Sequence, residues 1–176
     1  MSDHTDHQVS TLRAVAHPLR LRILSLLTGA SLSAAEIARE LDVTHANASY
    51  HLRVLADAGL VEEAGEEKIR GGVAKRYRHP WDRADSPQPK PTDADRDLYV
   101  RAMAEELVRR YAQRAPRVKS WLTDAEMWVT PEVWDDVVGQ VMKASKLVHS
   151  EARPPRTTGT IHVNLTAAAF EMGADG

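Results

Sequence analysis

The stretch VTHANASYHLRVLADAGLVEE, Val43 to Glu63, decides the fold because two different patterns meet in it. Its second half has leucines at helical spacing, followed by Ala58-Gly59, which is typical of a helix end. Its first half carries neutral hydrogen-bonding side chains on two turns, with no lysine or glutamate among them. A solvated helix face is mostly charged, so these neutral groups are predicted to serve another purpose.

A helical wheel of this stretch separates a buried face from a polar one. Ala48, Leu52 and Leu55 fall together and are predicted to be buried. Short hydrogen-bonding groups near a helix N-terminus can read base edges in a major groove, and a face without carboxylates does not repel phosphate. The pattern therefore predicts a recognition helix, with a helix packed inside a polar interface as the alternative. The candidate DNA contacts are Thr44, His45, Asn47, Ser49, Tyr50, His51 and Arg53.

A short capped helix is predicted directly before this stretch. Ser33 and Glu36 have the spacing of a capping box, so a helix should begin there. Only Asp42 and Val43 separate that helix from the next one, which should begin after Thr44 as its N-cap. Two short helices joined by so tight a turn predict a helix-turn-helix. Upstream, Pro18 should begin a helix with the buried stripe Leu19, Ile23, Leu26 and Leu27 and with Gly29 as its C-terminal cap.

A basic hairpin is predicted after the two helices. Residues 60–79, LVEEAGEEKIRGGVAKRYRH, read as two strands joined at Gly71-Gly72. From Lys68 to Trp81 the chain carries cations and no acid, which suits contact with phosphate. A basic hairpin in this position indicates the wing of a winged helix. The candidate wing contacts are Lys68, Arg70, Lys75, Arg76 and Arg78.

The remaining half of the chain is predicted to form a separate module. Residues 81–95 are rich in proline and aspartate and are typical of a linker. The amphipathic helix that follows is predicted to make a dimer contact through Val100, Met103, Leu107 and Tyr111. A short strand within residues 121–130, a helix from Pro131 and a strand over residues 160–170 should follow. Tryptophans in this half favour a small core with a dimer interface, or else an aromatic effector pocket.

The predicted fold is mainly α with a small β part. It comprises a flexible tail at residues 1–9, a winged helix-turn-helix domain at residues 10–80, a linker at residues 81–95, and a C-terminal α+β dimerisation or effector module at residues 96–176.

Composition narrows the class of function. The chain of 176 residues has a net charge of −2 and no cysteine, which excludes a disulfide framework and a thiolate metal site. No apolar run approaches the length of a bilayer span, so we expect a cytoplasmic protein without a membrane partner. The chain contains no GxSxG, no GxxxxGK phosphate loop and no HExxH, so we expect neither an enzyme nor a cofactor.

These motifs resemble those of the ArsR-type winged helix-turn-helix transcription regulators, in a long form with a C-terminal extension. The resemblance is carried by AHPLRLRILSLL, AEIARELDVTHANASYHLRVLADAGLV and KRYRH. It implies that the helix beginning near Thr44 lies in the major groove and that the wing touches the flanking backbone or minor groove. It also implies a homodimeric repressor released by an effector. The metal-sensing members use cysteine, or histidine with carboxylates, and the absence of cysteine here favours a non-metal effector.

The sequence thus predicts a DNA-binding transcriptional regulator, a homodimeric repressor of an inverted-repeat operator that a small molecule releases. One alternative is a winged helix whose polar face binds a protein. Another is a metal-responsive sensor that uses histidine and carboxylate ligands, for which His149 and His162 are the nearest candidates.

Overall fold

The computed structural model describes residues 10–69, 72–82, 90–116 and 119–173. The predicted tail at residues 1–9, Arg70 and Gly71 of the hairpin bend, and residues 83–89 of the linker lie outside the described residues. The elements are α1 (Thr11–Val15), α2 (Pro18–Gly29), β1 (Leu32–Ser33), α3 (Ala34–Leu41), α4 (His45–Asp57), β2 (Glu62–Ile69), β3 (Gly72–Arg78), α5 (Asp93–Ala112) and α6 (Pro131–Ser150).

The main core lies between α2, α3 and α4. Ile23 and Leu27 of α2, Ile37 of α3 and Leu55 of α4 have almost no exposed surface. Removing such side chains from water is the chief stabilising contribution to a domain of this size. The apolar stripes predicted on α2 and α4 are therefore confirmed, except that Leu26 is only half-buried.

The ends of the helices follow the predicted signals closely. The Ser33 hydroxyl accepts a hydrogen bond from the Glu36 N–H at 3.3 Å, and the Glu36 carboxylate accepts one from the Ser33 N–H at 2.8 Å. Thr44 caps α4 by accepting from the Asn47 N–H at 3.2 Å. Asp42 takes a left-handed conformation with φ 54°, which turns the chain sharply between α3 and α4. Gly29 is the last residue of α2 instead of its cap, which is Ala30.

The three strands form one antiparallel sheet in the order β1-β3-β2. β2 and β3 form the predicted hairpin. β1 pairs with β3 on the other side, with Leu32 opposite Tyr77. The His79 N–H donates to the Leu27 carbonyl at 3.0 Å, so the end of β3 is held against the end of α2. These contacts attach the hairpin to the helical core at its base.

Helix α5 packs against α1 and α2, and a buried carboxylate joins its start to the start of α1. The Asp95 side chain accepts from the Ser10 hydroxyl at 2.8 Å and from the Thr92 N–H at 3.0 Å. Ser10 is the N-cap of α1 and Thr92 is the N-cap of α5, so one carboxylate joins the starts of both helices. The pKa of Asp95 is held below its usual value by the hydrogen bonds from the Thr92 backbone and the Ser10 side chain. The helix begins at Asp93, within the stretch predicted as linker.

The C-terminal part differs from the predicted α+β module. Its helix begins at Pro131 as expected, with Thr130 as N-cap, but none of its residues is buried. The strands predicted within residues 121–130 and over residues 160–170 are wrong, since described residues 119–173 contain one helix and no strand. A strand needs a neighbour for its backbone hydrogen bonds, and within the described part of this chain residues 160–170 have none beside them.

Contacts among the described residues connect this C-terminal part to the rest of the chain. Arg156 pairs with Glu40 of α3 at 2.6 Å, and the rings of His149 and Trp81 lie 5.5 Å apart. The Arg110 guanidinium donates to the side-chain oxygen Oδ1 of Asn164 at 3.0 Å. The Arg153 backbone approaches Gly29 so closely that a Cβ there would lie 2.7 Å from the Arg153 carbonyl oxygen. Among the described helices, none has the length and apolar character needed to cross a bilayer.

Candidate nucleic-acid interface

The outer face of α4 is open and polar. Thr44, His45, Asn47, Tyr50 and Arg53 are exposed, and Ser49 is half-buried. The opposite face, formed by Ala48, Leu52 and Leu55, packs into the core. The placement expected from the helical wheel is thus confirmed for these residues, and the groups that could reach a base edge project from the first three turns of the helix.

His51 is the exception among the candidate contacts. Its side chain is only 6 % exposed, and its ring lies 4.5 Å from the ring of His17 at the start of α2. Burial, with His17 and Arg20 beside it, lowers the pKa of His51 to about 4. Since residues 48 and 52 face inward, position 51 lies at the edge of that buried face and cannot also lie on the exposed one. His51 therefore packs between α4 and the start of α2 instead of presenting a polar group to DNA.

Two wing cations of β3, Lys75 and Arg78, are paired with acids of the neighbouring strand. The Lys75 ammonium lies 2.6 Å from a Glu63 carboxylate oxygen, and this hydrogen bond and charge raise the pKa of Lys75. The Arg78 guanidinium donates to Glu62 at 2.7 Å. Both cations are about half exposed, with side chains 54 % accessible. Both can therefore reach solvent, and each already has an anionic partner.

Arg76 is placed differently from the other wing cations. Its side chain is 26 % exposed, and its guanidinium contacts Glu36 at 3.1 Å. It also donates to the Ser31 carbonyl oxygen and pairs with Glu67. Burial opposes the ionisation of Glu36, but hydrogen bonds from Ser33 and the charge of Arg76 hold its pKa below the usual value. Arg76, which the sequence predicts to bind phosphate, thus also joins β3 to the N-terminus of α3.

Comparison with known proteins agrees with this geometry. Residues 15–64 match a family model described as a helix-turn-helix domain. This segment is a helix-turn-helix domain. It contains α2, α3 and α4, of which α3 and α4 form the helix-turn-helix, and its last residues enter β2.

Two solved structures are similar to the chain. One is described as a "possible transcriptional regulatory protein (fragment 1-100)" from Mycobacterium bovis; it is 24 % identical, covers 58 % of this chain and 86 % of its own, and gives a TM-score of 0.33. The other is an adhesin competence repressor from Streptococcus pyogenes, 10 % identical, with coverage of 84 % and 85 % and a TM-score of 0.29. No curated protein matches the chain.

Sequence reasoning missed the acidic strand beside the helix-turn-helix domain. β2 reads EEAGEEKI, and four of its eight residues are glutamates. The register places Glu66 directly opposite Lys75 and Glu62 opposite Arg78. These glutamates stand in the sequence directly before Lys68, where the run of cations without an acid begins. Once the strands pair, the charge of β2 belongs to the same surface as that of β3.

Helix α5 leaves part of its apolar face open. Val100, Leu107 and Tyr111 are exposed, and Met103 is half-buried between them. The other side of α5 packs on α1 and α2, where Ala102 and Glu106 are buried. Glu106 is held by Arg109 at 2.8 Å and by Arg110 at 3.0 Å; burial opposes its ionisation, but these hydrogen bonds and charges lower its pKa overall. The predicted dimer residues thus lie together on a stripe that nothing in the described chain covers.

An open cleft of about 460 Å³ lies between α3 and the hairpin, beside the first residue of α4. Its lining includes Arg39 and His45 together with the carboxylates of Glu36 and Glu67. Within the described ranges, no three histidine, aspartate or glutamate side chains converge as they would around a metal ion. The Nδ1 of His149 lies within hydrogen-bond distance of its own helix, 2.7 Å from the Ser145 carbonyl oxygen.

Proposed function

We propose that this chain is a sequence-specific DNA-binding transcriptional regulator that acts in the cytoplasm. The observation that carries the proposal is the outer face of α4. It is the second helix of a helix-turn-helix domain, it exposes Thr44, His45, Asn47 and Tyr50, and it bears no carboxylate before Asp57. In such domains the second helix enters the major groove with its N-terminal residues on the base edges.

Asn47 is the residue most suited to base recognition on this face. An asparagine side chain can pair with adenine through two hydrogen bonds. The Thr44 cap uses only the backbone N–H of Asn47, and residue 47 is exposed, so its side-chain amide is accessible to DNA. His45 lies about half a turn earlier, at the start of α4, and Tyr50 lies nearly one turn later on the same face as Asn47. The three side chains are thus placed to sample neighbouring base pairs.

The chain acts as a homodimer in this proposal. The exposed stripe of α5, with Val100, Leu107 and Tyr111, supports it because water-exposed apolar side chains at helical spacing favour burial against a second helix. Two copies of α4 would then meet an imperfect inverted repeat with half-sites about one helical turn apart. A dimer bound there blocks transcription without further machinery, which favours repression, in keeping with the ArsR-type resemblance.

A non-metal effector is the proposed signal. The C-terminal part touches α2, α3 and α5 through the few contacts described above, and it exposes large apolar side chains, among them a fully exposed Trp128. A small molecule bound by these side chains could alter the same contacts and so the spacing of the two copies of α4. Coupling of this kind needs a ligand that binds the two arrangements with different affinity.

The test is selection from a random-sequence duplex library by the purified chain at two salt concentrations. We expect enrichment of an inverted repeat, and an affinity that falls steeply as salt rises because phosphate contacts release counterions. A library that stays random, with no salt-dependent binding, would contradict the proposal and would favour a protein partner for the face of α4. Sedimentation of the same sample tests the dimer independently of DNA.

A further inference from the structure

The acidic strand β2 offsets most of the positive charge of the wing. Residues 62–78 carry four glutamates against five lysines and arginines, a net charge of only +1. A wing that binds phosphate through long-range attraction would be strongly basic. This balance is unexpected for a surface whose second strand reads GVAKRYR.

Resting on the proposed function, we propose that Glu62 and Glu63 limit the affinity of the wing for DNA. Their carboxylates occupy Arg78 and Lys75 in the free protein, and DNA phosphates must replace them for the wing to bind. The wing thus exchanges one anionic partner for another when it meets a duplex.

The geometry of the two pairs allows this exchange. Glu63 lies 2.6 Å from Lys75, and Glu62 accepts from Arg78 at 2.7 Å, so each is a full hydrogen-bonded ion pair. The side chains of Lys75 and Arg78 are each about half exposed. Exposed pairs of this kind are weak, so a phosphate can compete for the cation. A carboxylate that has been displaced stays beside the phosphate on the same face of the sheet and repels it.

Arg76 does not take part in this exchange of partners. Among the described wing cations, it is the one that also binds outside the hairpin, to the Ser31 carbonyl oxygen and to Glu36. Leaving these partners would detach β3 from the capped start of α3. Arg76 is therefore a positioning residue that keeps the hairpin oriented, while Lys75 and Arg78 exchange partners.

The test compares the double variant Glu62→Gln/Glu63→Gln with the wild-type chain. Gln keeps the size of the side chain and removes the negative charge. Fluorescence anisotropy with one labelled random-sequence duplex, at several salt concentrations, gives affinity and salt slope together. We expect binding to tighten by about twofold to fivefold for each glutamate and the salt dependence to become steeper. A thermal melt shows whether the variant is folded.

The matched control is Asp93→Asn. It makes a single change of the same charge type in an exposed pair, with Arg96 at 2.8 Å on α5, away from the wing. Tighter binding in the double variant and not in the control supports the proposal. Equal affinity of wild type and double variant on a duplex that both bind overturns it and leaves the proposed function intact. If neither chain binds duplex at any salt concentration, the proposed function fails and this inference fails with it.

Discussion

His17 and His51 stack at the junction of α2 and α4, with their ring centroids 4.5 Å apart and their planes tilted by 41°. His17 also caps α2, since its Nδ1 accepts from the Leu19 N–H at 3.1 Å. The Nδ1 of His51 is buried and has no hydrogen-bond partner in the described chain. The ring pair therefore fixes α4 on α2 as long as His51 is neutral.

The stability of the fold should fall in mild acid because of His51. Its pKa is lowered to about 4 by burial, by His17 and by Arg20, while an unfolded histidine titrates near 6.5. Between these two pH values the unfolded chain therefore binds more protons than the folded chain. The contribution of neutral His51 to the free energy of unfolding is full above pH 6.5 and is lost as the pH falls toward 4. We expect a loss of about 2 kcal/mol from this residue between pH 7 and pH 5.

Urea unfolding of wild type and His51→Gln at both pH values measures this loss. The variant should be less stable at pH 7 and should lose less stability on acidification. Parallel losses in the two proteins would show that His51 is not the group that titrates.

The connection between α1 and α5 should depend on Asp95. Asp95→Ala removes the acceptor shared by the Ser10 hydroxyl and the Thr92 N–H, so the melting temperature should fall at neutral pH. Because the pKa of Asp95 is lowered in the fold, its contribution is present above the unfolded pKa and disappears as acid protonates it. Asp93→Ala, two residues away and exposed, is the control. Calorimetry that gives both variants the same melting temperature at pH 7 would contradict the assignment.

The contact of α2 with the C-terminal part should be sensitive to a single methyl group. In Gly29→Ala the new Cβ would lie 2.7 Å from the Arg153 carbonyl oxygen, a backbone atom that must move. We expect a cost of about 1–3 kcal/mol, or release of residues near 153 from α2. Gly139→Ala in α6 meets nothing within 4 Å and should be neutral or stabilising by up to about 1 kcal/mol. Limited trypsin digestion after Arg156, which is followed by Thr157, and thermal melts distinguish the two variants, and equal behaviour would contradict the contact.

Arg76 and Lys75 should respond differently to loss of charge. Arg76→Gln removes the links from β3 to the Ser31 carbonyl and Glu36, and should cost about 1–3 kcal/mol of unfolding free energy. Lys75→Gln removes one exposed pair and should leave stability close to that of the wild type. Hydrogen exchange of the β3 amides should accelerate in the arginine variant alone. Similar exchange in both variants would mean that Arg76 does not anchor the hairpin.

The sequence predicted the helix-turn-helix more fully than the rest of the chain because its signals are local. A capping box at Ser33 and an N-cap at Thr44 act within three residues, and α4 buries every third or fourth residue. The pairing of Glu62 with Arg78 depends on the register of two strands, which residue types alone do not set. The predicted strand over residues 160–170 shows the same limit, since alternation does not supply a neighbouring strand.

Position 51 shows why the sequence pattern does not separate a buried polar residue from an exposed one. Tyr50 and His51 are both polar and adjacent, and a helix turns by about 100° between them. That turn places Tyr50 in solvent and His51 against His17. The ring of His17, which comes from a different helix, decides the burial of position 51, and no pattern within α4 contains that information.

The most direct test of the account is the affinity of Asn47→Ala for the selected operator and for a scrambled duplex of equal length. The matched control is Gln140→Ala, which removes an exposed side-chain amide that bonds Asp136 within α6. We expect Asn47→Ala to weaken operator binding by about 1–3 kcal/mol, to leave scrambled binding nearly unchanged, and to keep the wild-type salt slope. Equal weakening on both duplexes, or none on either, would contradict base recognition by the exposed face of α4.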